Sequence, residues 1–88
     1  MKQVVYKYPL EIIDFQKVTL PVGSKLLCVK MQDGKPHLWA LVNSDESRME
    51  TVNIRCAGTG TWISGEVDYI GTILTFAEQL VLHFFKIK

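Results

Sequence analysis

Apolar and polar positions alternate along most of this chain with a period of two. Between Met49 and Cys56, Val52, Ile54 and Cys56 fall on one side and Thr51, Asn53 and Arg55 on the other. That is the pattern of a strand with one face in a core. Gln3 to Tyr8 sets Val4, Tyr6 and Tyr8 against Val5 and Lys7, and Pro9 ends it. Phe15 to Leu20 is rich in β-formers and stops at Pro21-Val22-Gly23, a turn in which the glycine is free to take positive φ.

The strongest local signal is a hairpin. Lys25 to Gln32 and Lys35 to Asn43 flank Asp33-Gly34, a pair suited to a two-residue type I′ turn because both central residues need positive φ. Counting outward, Gln32 faces Lys35, Met31 faces Pro36, Val29 faces Leu38 and Cys28 faces Trp39. The same count sets Leu27 against Ala40 and Leu26 against Leu41. Both faces of this hairpin are apolar, more than one sheet face against a core explains.

Asn43 to Arg48 is a polar run and reads as a loop, Ala57-Gly58-Thr59-Gly60 interrupts the strand before it, and Ser64-Gly65 marks a further turn. Tyr69 to Phe76 and Leu80 to Ile87 are β-rich runs joined by Ala77-Glu78-Gln79. Helix competes in two places. Pro9 to Phe15 has room for one helical turn. Phe76, Ala77, Leu80, Val81 and Phe84 form a helical stripe, whereas Leu80, Leu82 and Phe84 against Val81, His83 and Phe85 form two strand faces; aromatic and branched content favours the strands. The expected fold is all-β: one domain over residues 1–88, a small antiparallel sandwich or barrel of five to seven short strands.

Composition narrows the class without naming a function. The 88 residues are 48% hydrophobic and 22% charged, which suits a globular domain and excludes a disordered tail. Ten Lys/Arg against nine Asp/Glu leave a net charge of +1. With the basic residues scattered, no direct DNA binding is expected. Lys7 falls where a secretion signal needs its apolar run. The longest uncharged apolar stretches, Tyr69 to Ala77 and Gln79 to Phe85, are shorter than the roughly 18 residues of a membrane helix. The expectation is a cytoplasmic protein away from membranes, with Cys28 and Cys56 as reduced core residues.

Catalytic templates find little purchase. Ile63-Ser64-Gly65 lacks the first glycine of a nucleophile elbow. Both cysteines lie in apolar runs, His83 stands between apolar neighbours, and no pair of acids is fixed by spacing. There is neither a P-loop nor a Cys-x-x-Cys pair. No enzyme activity, metal or cofactor is expected.

One segment offers binding chemistry. Arg55, Gly58, Thr59, Gly60, Thr61 and Trp62 place a guanidinium at a strand end, two glycines around a threonine, and an indole. Successive amides in such a loop form an anion nest, Arg55 adds a fork for phosphate or carboxylate, and Trp62 adds a stacking face. The plain alternative is a glycine bulge that bends the strand beside a solvated arginine.

Lys7-Tyr8-Pro9-Leu10, Leu38-Trp39-Ala40-Leu41-Val42, Gly58-Thr59-Gly60, Tyr69-Ile70-Gly71-Thr72 and Val81-Leu82-His83-Phe84-Phe85 together resemble a family of short proteins from tailed phages and bacterial prophages. The resemblance spans nearly the whole chain, in motifs of three to five residues. In that family His commonly follows the Gly-Thr-Gly; Thr61 stands there in this chain, which weakens an acid–base role for the loop. No activity comes with the resemblance. It implies a setting in the host cell, where small phage proteins often antagonise antiviral defence.

Three readings follow. In the first, the protein binds and inhibits a host defence protein. In the second, the Arg55–Trp62 loop holds a phosphate-bearing small molecule such as a nucleotide signal. In the third, the chain is a structural phage component. The surplus of apolar surface in the hairpin and the last strand also predicts a homo-oligomer, most simply a dimer.

Overall fold

The described residues form seven antiparallel strands in two sheets. The computed structural model describes residues 1–75 and 79–88, so the expected Ala77-Glu78-Gln79 link falls largely outside the described residues. The strands are β1 (Gln3–Pro9), β2 (Phe15–Pro21), β3 (Lys25–Gln32), β4 (Lys35–Asn43), β5 (Met49–Gly58), β6 (Val67–Thr75) and β7 (Leu80–Ile87). One sheet has the order β1-β4-β3 and the other β2-β5-β7-β6. The described residues contain no helix: Pro9 closes β1, and the segment expected to compete as a helical turn is a bend leading into β2.

The inward side chains of both sheets meet in one core. Leu38, Ala40 and Val42 of β4 pack in the same cluster as Val18 and Leu20 of β2, Val52, Ile54 and Cys56 of β5, and Leu82 and Phe84 of β7. Leu10, almost fully buried where the chain crosses from the first sheet to the second, donates its N–H to the Pro36 carbonyl at 3.0 Å. The crossing back is a tight turn in which the Ser24 N–H and hydroxyl both reach the Pro21 carbonyl and Gly23 adopts φ +82°.

The hairpin forms as expected at its tip and departs from expectation further in. Asp33 and Gly34 both have positive φ, at 53° and 76°, and Gln32–Lys35, Met31–Pro36, Val29–Leu38 and Cys28–Trp39 pair in the derived register. A bulge at Leu27 then shifts the ladder, so Leu26 faces Ala40 and Lys25 faces Leu41. The extra residue exchanges the roles of two leucines: Leu26 packs against the core and Leu27 is exposed. Cys28, expected in the core, is half-buried and shares the outer face with its partner Trp39, while Cys56 is buried; both thiols are free.

A second bulge, at Ile70, falls where β6 of one sheet passes β3 of the other. A Cβ on Gly71 would lie 2.7 Å from the Val29 backbone nitrogen and 2.9 Å from its carbonyl oxygen. Only glycine allows the two backbones this approach.

Candidate functional site

The outer face of the four-stranded sheet gathers most of the side chains with binding potential. Cross-strand register lines up Phe15 of β2 with Arg55 of β5, Arg55 with Phe85 of β7, and Phe85 with Tyr69 of β6. The row is continuous across all four strands. The Arg55 guanidinium lies over the Phe15 ring at 4.8 Å, and the Phe85 and Tyr69 rings meet edge-on with centroids 5.8 Å apart. Both are favourable cross-strand geometries.

A hydrogen-bonded row runs beside it. His83 stands opposite the small Ala57 on one side and Thr72 on the other. Its Nε2 pairs with the Thr59 hydroxyl at 2.8 Å and its Nδ1 with the Thr72 hydroxyl at 3.0 Å, and Thr72 in turn meets the Tyr69 hydroxyl at 2.6 Å. Both ring nitrogens thus end on hydroxyls, which fixes the imidazole with neutral partners and ties the turn after β5 to β7 and β6.

The loop singled out in the sequence sits at one end of this face. Gly58 to Thr61 is a β-turn closed by the Thr61 N–H donating to the Gly58 carbonyl at 3.2 Å, with Gly60 at φ +88° in the third position, as a type II turn requires. Thr61 therefore spends its amide inside the turn, and Thr59 spends its hydroxyl on His83. Arg55 is engaged as well. It donates to the Cys56 carbonyl at 2.9 Å and to the Trp62 carbonyl at 3.3 Å, and lies 3.6 Å from the Asp14 carboxylate, with its side chain only 11% exposed. Trp62 itself projects outward, 93% exposed. The six loop residues are neighbours, but Arg55 points into a knot that holds the loop down.

Chemistry at Cys56 is suppressed. Burial pushes its thiol above the ordinary range and the nearby Asp14 adds to the shift, with Arg55 opposing it, so the sulfur stays protonated.

The sequence undervalued His83, Thr72 and Tyr69. Tyr69 and Thr72 are three apart, which in a regular strand puts them on opposite faces; the bulge at Ile70 brings them to the same one. The available signal was the small Ala57 in the strand that β7 joins, which leaves room for an imidazole beside it.

No curated protein and no solved structure matches the chain. A family model described as a domain of unknown function (DUF7352) matches residues 1–88. The chain belongs to the DUF7352 family.

Proposed function

We propose that the protein is a non-catalytic accessory domain that acts by binding another protein through the outer face of its four-stranded sheet. The observation that carries this reading is the row Phe15–Arg55–Phe85–Tyr69. Phe15 and Tyr69 are 63% and 62% exposed although the core is already filled, and Leu74 on the same face is 50% exposed. Aromatic side chains and arginine are the residue types enriched in protein interfaces and at their energetic centres. A depression of about 200 Å³ lined by Phe15, Gln16, Lys17, Asn53 and Ile87 opens beside the row and offers a seat for a partner's apolar side chain. The resemblance to tailed-phage proteins makes a host defence protein the natural target, and in its absence a second copy of the chain covers the face.

The nucleotide-binding reading has less support. A phosphate at the loop requires Arg55 to leave two carbonyls and a carboxylate, and the Thr61 amide to leave its turn. Affinity capture from lysate of a phage-susceptible host tests the proposal, with wild type set against the double variant Phe15→Asp, Tyr69→Asp. The expected result is a host protein retained by wild type and lost by a variant whose circular dichroism is unchanged. Identical capture by both proteins overturns the reading.

A further inference from the structure

The net charge of +1 conceals an uneven division between the sheets. Residues 1–10 and 25–43, which supply β1, β3 and β4, carry five lysines against Asp33 alone, a net of +4; the remaining residues carry five cations against eight acids, a net of −3. Strand register then puts most of the positive charge on one surface. Lys7 pairs with Trp39, Lys30 with His37 and Lys25 with Leu41, while Lys35 closes the hairpin; all four lysines are exposed on the outer face of β1-β4-β3. Asp33, the one acid of these segments, sits in the turn at the hairpin tip.

Trp39 lies at the centre of this face, half-buried, on the middle strand. The Lys7 ammonium is 5.9 Å from its ring centroid, and the His37 ring is tilted against it at 6.5 Å. Its Nε1 donor is buried beneath this surface and has no hydrogen-bond partner among the described residues. A half-exposed indole with one lysine over its ring and three more on the same face suits a ligand that is anionic and able to stack.

We propose that the outer face of β1-β4-β3 binds single-stranded nucleic acid, with Lys7, Lys25, Lys30 and Lys35 on the phosphates and Trp39 as the platform for a base. Flat grooves that combine cations with an aromatic surface are the usual means of holding single strands without sequence preference. An acidic protein would use the four charges but gains less from the indole face, and a regular duplex keeps its bases out of reach of Trp39. This face is opposite the one proposed for the protein partner, so either proposal stands if the other falls.

Fluorescence anisotropy with a labelled oligothymidylate, across about 50 to 200 mM salt, tests the assignment. Four phosphate contacts predict a log–log salt slope of about −3, at about 0.7 per contact on a single strand. The double variant Lys7→Gln, Lys30→Gln, which leaves the core untouched, should reduce that slope by about 1.4. Trp39→Ala should weaken binding about fivefold or more, Trp39→Phe should retain most of it, and Trp62→Ala should change nothing. The assignment is overturned by absence of binding at the lowest salt, by lysine variants that bind like wild type, or by polyglutamate or duplex binding as tightly as the single strand.

Discussion

Arg55 shows how the same side chain changes meaning once its surroundings are known. At the end of an alternating strand and before two glycines, it has the position of an anion fork. In the fold its guanidinium satisfies the Cys56 and Trp62 carbonyls, approaches Asp14 and covers Phe15. Its removal therefore acts on stability. Arg55→Ala should lower the free energy of unfolding by about 1–2 kcal/mol, the usual cost of stranding one part-buried carbonyl, that of Cys56, and losing a charge-assisted bond. For a domain of this size that is a fall in Tm of about 4–16 °C. Calorimetry with and without a panel of nucleotides measures it. An anion site predicts instead an unaltered Tm for the apo variant and the loss of a ligand-induced rise.

At the scale of elements, the alternation of Met49 to Cys56 and the Asp33-Gly34 turn were legible because each depends on neighbours in sequence. What escaped were the two bulges, at Leu27 and Ile70, since a bulge answers to the strand across the ladder and to the sheet beneath. The Ile70 bulge brings Tyr69 beside Thr72 and leads into Gly71, where β6 meets β3. The charge division has the same origin: lysines dispersed along β1, β3 and β4 share a surface only after those strands pair. The crossing gives a sharp comparison between two glycines. Gly71→Ala sets a methyl group into the Val29 backbone and should cost about 1–3 kcal/mol. Gly58→Ala meets only the Thr61 hydroxyl, at 3.8 Å and without positive φ, and should be neutral or stabilising by about 0.4–1 kcal/mol. Urea denaturation of both variants checks the difference; equal effects would mean that the sheets can separate at Gly71 without penalty.

The whole molecule is a two-layer sandwich whose outer faces differ in kind, one aromatic and hydrogen-bonded, the other basic around a single indole. Its core uses the inward side chains of both sheets, so the exposed Phe15, Tyr69 and Leu74 are surplus to folding and mark the face on which the proposed function depends. A photo-crosslinking amino acid in place of Tyr69, with the same probe in place of exposed Ser47 as the control, examines that face in living cells that express the protein. The account predicts a covalent protein adduct from the Tyr69 position and none from Ser47. Mass spectrometry of the adduct then separates a second 10.0 kDa chain from a different protein. Illumination that leaves the Tyr69-substituted chain as uncrosslinked as the control would contradict the claim that this face binds a protein.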